Sequence, residues 1–291
     1  MIPSLDNGWT RHSWAMLRVG LGIYLMWHWL ALWPHASELF SSTGMLPDAS
    51  TSPLRHAFPN VLVLCDAPWA CMVLLGMGLV ASVTLIAGVG DRAGAVVSWY
   101  VLACFLGRNP LITNPSLPYV GLVLLVHAMA GPGRRRGARP WRLSGSVYWA
   151  LWVVMAVGYS YSGITKLVSP SWADGTAIIA VLHNPLARPN TLRELMLALS
   201  PALTTAMTWG VLVLEIGFAP LALVRRLRPW LWVSMVLMHI GLIVLVDFAD
   251  LSLGMVIVHA ATFDPAWGRR WVQCVRGRWA CREPNARGLC R

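Results

Sequence analysis

The sequence predicts an all-α protein: a polytopic membrane helical bundle of about eight transmembrane helices with both termini cytoplasmic. Three observations carry that expectation. Hydrophobic residues make up 57% of the chain and charged ones only 12%, at a mean hydropathy of +0.59, whereas about a quarter of a soluble domain is charged. The apolar residues fall in blocks of roughly 15 to 23 rather than in strand-length runs, and in lipid such blocks satisfy their backbone polar groups as helices. Lys and Arg divide very unevenly between alternate loops. This composition excludes a soluble enzyme and a DNA-binding domain.

Taken in order, the first apolar block is Ser13–Trp33. It contains Arg18 and His28 and is followed by no small-residue cleavage site, so it reads as a retained helix rather than a signal peptide. Ala67–Val89, Ala93–Gly107 and Tyr119–Gly131 follow, the last two short for a span. Ser146–Ile164 runs directly into Lys166, and Leu203–Val224 carries Glu215 near its middle. Pro229–Val246 carries His239, and the short Leu251–Thr262 closes the set. Tilting or interruption of the short blocks leaves seven or nine spans as alternatives. The chain divides into a membrane domain, 1–268, and a basic cytoplasmic tail, 269–291.

Orientation follows from the basic residues. One set of loops holds Arg11, Arg92, five arginines from Arg134 to Arg142, three from Arg225 to Arg228, and seven from Arg269 onward, 17 in all. The other set holds five: Arg55, Arg108, Lys166, Arg188 and Arg193. The richer set is placed in the cytoplasm. Topology and anionic headgroups account for these clusters and for the net charge of +11, so nucleic acid is not an expected partner. The two long connections, 34–66 and 165–202, then face outward, and chemistry is expected there. The six cysteines show no metal or redox spacing, and no metal site is predicted. Most of the 17 tryptophans sit at predicted span ends, as interfacial belts do.

Lys166 is the only lysine among 23 basic residues. An ammonium gives up its proton when desolvated and a guanidinium does not, so a lysine in this arginine-rich chain reads as a candidate base. The alternative is an interfacial anchor that snorkels from its helix end. Tyr159, Ser162 and Gly163 share its helix face. Glu215, in an apolar segment, needs an internal partner or a proton. Arg18, His28, His127, His239 and His259 are its candidates. His239 and Asp247 lie eight positions apart, broadly on one side of the seventh helix, as a proton relay or as an interhelical contact. Trp172-Ala173-Asp174-Gly175 reads as a turn closing over a pocket.

These residues fall into ordered motifs: Arg108-Asn109-Pro110-Leu111-Ile112-Thr113-Asn114; Tyr161-Ser162-Gly163-Ile164-Thr165-Lys166-Leu167 followed by Trp172 and Gly175; Thr208-Trp209 with Glu215; Met238-His239-Ile240-Gly241; and Phe263-Asp264-Pro265-Ala266-Trp267. Over about residues 10 to 268 this order resembles the horizontally transferred transmembrane domain (HTTM) family, related to the membrane domain of vitamin K-dependent gamma-carboxylase. The resemblance implies that Lys166 deprotonates a quinol of the menaquinone or vitamin K type, which oxygen then converts to a strong base. On the enzyme reading Glu215 and His239 order the site or move protons, Arg108 and Asn114 line its mouth, and Tyr161 and Trp172 join them around the cofactor. Where the carboxylase has an Asn-His pair this chain runs Asn114-Pro115, and where the carboxylase carries a large lumenal region this chain has a short arginine-rich tail. The expectation is a quinol-linked oxidoreductase or carboxylase-like enzyme of a bacterial inner (plasma) membrane. The alternative is a non-catalytic scaffold or maturation factor for an exported peptide or a membrane partner.

Overall fold

The computed structural model describes residues 8–112, 114–132 and 141–268. The tail 269–291 and the arginines from 134 to 139 lie outside the described residues.

Among the described residues the secondary structure is helical, with two isolated antiparallel bridges, Thr10 to Arg142 and Ala187 to Val246. Local chemistry sets the helix ends. Helix α1 (Arg11–Leu32) starts where the Thr10 hydroxyl accepts from Ser13 N–H at 3.2 Å. Short α2 (Ala36–Phe40) and α3 (Val61–Leu64) lie in the long connection before α4 (Pro68–Ala87). Helix α4 opens on a proline and stops at Gly88, whose φ of +71° ends the helix as only glycine does without strain. Helices α5 (Asp91–Arg108) and α6 (Ser116–Ala130) follow, then α7 (Gly145–Lys166). Three short helices fill the second long connection: α8 (Pro170–Ala173), α9 (Ala177–Leu182) and α10 (Thr191–Leu197). The remaining helices are α11 (Pro201–Ile216), α12 (Phe218–Leu223), α13 (Arg228–Leu245) and α14 (Ala249–Thr262).

Helix therefore covers each of the eight predicted segments, but the segments are not equal. Among the described residues four helices are long and apolar enough to cross a membrane: the one beginning at Arg11, α4, α7 and α13. The pair α10 and α11, bent by 109°, makes a fifth only if it counts as one span. Helices α6 and α14 are apolar but shorter, and α5 carries Asp91, Arg92 and Arg108. The sixth predicted block is two helices, broken at Gly217.

Helix α1 packs against α4 and α14, α5 sits between α4 and α6, and α6 closes onto α14. On the far side α7 packs against α11 and α12, and α13 joins through α12 and α14. Three tryptophans work as buried pillars rather than belt residues: Trp14, Trp29 and Trp152. The indole N–H of Trp152 donates to Tyr148 Oη and to the Thr262 carbonyl, both at 2.9 Å, which ties α7 to α14. Trp14 donates to His127 Nδ1 at 2.8 Å, which leaves the ring proton on Nε2, 3.2 Å from Asp91. That contact lacks hydrogen-bond alignment, since His127 Nε2 has no hydrogen-bond partner. Arg18 reaches the same carboxylate at 3.6 Å. Arg18 and His127, both candidate partners for Glu215, are thus engaged by Asp91 at the end of the bundle away from Lys166.

Candidate functional site

The site is assembled where the end of α7 meets the break between α11 and α12. A helix that stops inside a bundle leaves carbonyls and N–H groups unpaired. Here Ser160, on α7, fills that gap: its hydroxyl donates to the Ile216 carbonyl and accepts from Ala219 N–H, both at 2.9 Å. One turn on, Gly163 lets the two backbones touch. A Cβ at Gly163 would lie 2.6 Å from Ile216 N and 3.0 Å from Glu215 Cβ. Close approach at a glycine and a hydroxyl at the break together place the last turn of α11 beside the last turn of α7.

Lys166 and Glu215 occupy those two turns and form an ion pair, the ammonium donating to both carboxylate oxygens. Glu215 is buried, its side chain 5% exposed, while that of Lys166 is 24% exposed. The Trp172 ring lies over the ammonium, its centroid 4.8 Å from Nζ. Sequence reasoning named all three residues but did not pair the lysine with the glutamate. The partners proposed for Glu215 were Arg18, His28, His127, His239 and His259. The correction has a physical reason: the helix ends at Ile216, so Glu215 lies in a terminal turn level with Lys166, not in the middle of a continuous span.

His239 does not meet Asp247. Its Nε2 is 2.8 Å from Tyr159 Oη, which is also 2.7 Å from His259 Nε2, and its Nδ1 is 3.4 Å from Ser252 Oγ. A phenol has one proton, so Tyr159 donates to one imidazole and accepts from the other. Tyr159 and Lys166 lie seven positions apart on α7, on one helix face, which places the two groups on that face. Asp247 instead pairs with Arg188 at 2.8 Å. That pair, with Arg188 N–H donating to Leu245 O and Asp247 N–H to Leu186 O, fastens the connection between α9 and α10 onto the turn between α13 and α14.

The expected cofactor-binding residues separate. Trp172 joins Lys166. Tyr161 points away, 68% exposed. Arg108 is fully buried, with Nη2 2.7 Å from the Leu46 carbonyl and 3.5 Å from Asp66, and among the described residues its Nε and Nη1 have no hydrogen-bond partner. Asn114 donates to Asp250, which also holds His28 Nδ1 at 3.0 Å, and accepts from Ser116 N–H at 2.9 Å. Arg108 therefore ties the end of α5 to the connection before α4, and Asn114 joins the start of α6 to α14 and α1; neither frames the lysine. Sequence spacing gave no signal for Ser160 or Asp250. The turn over the lysine is well ordered by its own groups: Asp174 accepts from the Thr176 hydroxyl at 2.6 Å and from its N–H at 2.9 Å. Those two bonds, the hydroxyl first, hold the Asp174 carboxyl below its ordinary value.

The pair as a whole is neutral. Among the described residues no group of three or more His, Cys, Asp or Glu residues is arranged to hold a metal ion. Comparison with family models, curated proteins and solved structures finds no match for this chain.

Proposed function

We infer that this protein is a multi-pass inner-membrane enzyme that deprotonates a quinol at the Lys166–Glu215 pair. The carrying observation is a buried carboxylate that holds the chain's sole lysine under an indole ring at a helix end. The residues present fit such a ligand. Trp172 offers a flat aromatic wall, the partly exposed ammonium can be reached, and Ile164, Leu167 and Val168, its neighbours along the chain, are apolar and exposed, as a landing for a lipid tail. A bound quinol supplies the acidic hydroxyl and the reducing electrons, with dioxygen as their acceptor.

The chain's own residues divide the work. Glu215 takes the resting proton of Lys166, and the freed amine takes the proton of the ligand hydroxyl, so the pair ends with one proton more than it held. Tyr159, His239 and His259 order the buried side of the site. Ser160 and Gly163 fix the distance between the two helix ends. The unequal basic loops support eight spans with both termini in the cytoplasm and Lys166 at the extracytoplasmic end. The ordered motifs from Arg108 to Trp267 support membership of the HTTM family, with residues 1–268 as one membrane domain.

The test compares wild type with Lys166→Arg and Glu215→Gln. Lipids co-purified with each are identified by mass spectrometry, and quinol-dependent oxygen uptake is measured. A quinone enriched in all three, with uptake lowered about a hundredfold or more in Lys166→Arg, is the expected result, because arginine keeps the charge but cannot act as the base. No quinone and equal uptake would overturn the assignment.

A further inference from the structure

Helices α7, α13 and α14 close around a file of four buried polar side chains: Ser252 and His259 from α14, His239 from α13 and Tyr159 from α7. Ser252 Oγ is 3.4 Å from His239 Nδ1, His239 Nε2 is 2.8 Å from Tyr159 Oη, and Tyr159 Oη is 2.7 Å from His259 Nε2. The file has an outer and an inner end. Ser252 lies in the first turn of α14, just past the turn that Asp247 fastens to Arg188, and so at the same end of the bundle as Lys166. His259 lies seven residues along the same helix, about 10 Å deeper at 1.5 Å per residue. It is fully buried, and its Nδ1 has no hydrogen-bond partner among the described residues. Titratable side chains in series inside an apolar bundle are costly, and in membrane proteins such chains carry protons.

The unpartnered nitrogen sets the direction of the bonds. A neutral imidazole carries one N–H and a phenol one O–H, so the file has two self-consistent arrangements. In the first, Tyr159 donates to His259, whose own proton then sits on Nδ1 as a buried N–H with no acceptor. In the second, Tyr159 donates to His239 Nε2, His239 Nδ1–H donates to Ser252 Oγ, and His259 Nε2–H donates to Tyr159. Only a bare lone pair is then left over, at His259 Nδ1. Orphaned buried N–H groups are rarer than under-satisfied acceptors, which selects the second arrangement. All three imidazole and phenol protons then point along the file toward Ser252.

We propose that Ser252, His239, Tyr159 and His259 form a proton relay between the core of the bundle and the end that carries Lys166. A proton bound at His259 Nδ1 releases the one on Nε2 to Tyr159 Oη. The phenol passes its proton to His239 Nε2, and His239 Nδ1 passes its own to Ser252, whose hydroxyl proton leaves. One proton enters, one departs, and only O–H and N–H bonds change. Return of the two rings to their first tautomers resets the file. His259 Nδ1 is the acceptor that awaits the cargo, and Tyr159 is the single link between the two histidines. This role goes beyond the quinol reading and does not require it.

The test follows protons rather than activity. The full chain, labelled with 15N-histidine and placed in lipid nanodiscs, is studied by NMR, with His239 and His259 assigned by replacing each in turn. The expected resting forms are Nε2–H for His259 and Nδ1–H for His239. After transfer to D2O, the His259 N–H exchanges in wild type although the ring is fully buried. Tyr159→Phe cuts the file, so His259 then exchanges only by local opening and slows by about tenfold or more, while His239 keeps its rate. Ser252→Ala, which leaves Tyr159 in place, slows both. A cluster that merely holds three helices together behaves in the opposite way, because loss of a buried hydroxyl loosens the packing and exchange at His259 speeds up. Reversed tautomers, no exchange at His259 in wild type, or exchange there that is unchanged or faster in Tyr159→Phe or in Ser252→Ala overturns the relay. Loss of the quinol reading through equal oxygen uptake in Lys166→Arg leaves these outcomes untouched.

Discussion

Replacing Lys166 with Met tests the energetic core of the site. Both carboxylate oxygens of Glu215 are spent on the ammonium, and the Glu215 side chain is only 5% exposed. Removing one partner of a buried pair costs about 3–5 kcal/mol, because the other charge stays behind. Lys166 is 24% exposed, so water screens the pair in part, and we take the lower end, about 3 kcal/mol. Glu215→Met leaves the partly exposed lysine, which water can solvate, at a cost of about 1 kcal/mol. The double replacement removes both charges and fills the volume with apolar groups, which is often close to neutral. The two single costs then exceed the double by about 4 kcal/mol, or roughly a thousandfold in the unfolding equilibrium. Reversible unfolding in mixed micelles titrated with dodecyl sulfate, followed by tryptophan fluorescence, measures each variant. Single costs that add to within about 0.5 kcal/mol would show that the pair is not coupled, and the reasoning would fail.

Three further outcomes follow from neighbouring residues. Gly163→Ala forces a methyl group to 2.6 Å from Ile216 N, and backbone cannot yield as a side chain does; the same unfolding assay should show a loss of about 1–3 kcal/mol, and a neutral substitution would mean that the helices do not meet there. Ser160→Ala strips both partners from the break at Gly217 and should cost about 1–3 kcal/mol, with faster hydrogen exchange at the Ala219 amide; unchanged exchange would refute the role. Asp174 is held below the ordinary carboxylate value by Thr176, so its contribution to the turn is present above that value and is lost only as pH falls through the lower one. Its carboxyl carbon should titrate below the ordinary range in wild type and move up in Thr176→Ala, and a normal titration in wild type would contradict the geometry.

The helices were legible in the sequence because blocks of apolar residues between proline, glycine and arginine have few other solutions in lipid. Lys166, Glu215 and Trp172 were legible too, each as an exception to its surroundings: one lysine among arginines, one carboxylate in an apolar run, one indole beside an Asp-Gly turn. Their association was not. It depends on α11 stopping at Ile216, and the signals for that stop, Gly217 and Pro220, sit in a block whose hydropathy continues to Val224. The Ser160 hydroxyl that makes the stop affordable comes from another helix, 56 residues away, where no periodicity points. His239 and Asp247 were placed together from helical spacing, but α13 ends at Leu245, and beyond it the chain turns and Asp247 meets Arg188 instead. Spacing along one element predicts neighbours only while that element continues.

The pairing of Lys166 with Glu215 has an electrical consequence. A membrane potential does about 2.3 kcal/mol of work on each elementary charge carried across 100 mV, but on a neutral pair it finds only a small dipole to turn. In its resting form the site is therefore nearly indifferent to voltage. A proton gained from outside the pair gives it a net positive charge, and from that moment the field across the bilayer favours one direction for the proton's departure. Under the proposed function, the energised state of the membrane acts on the product of the proton transfer and not on the resting pair.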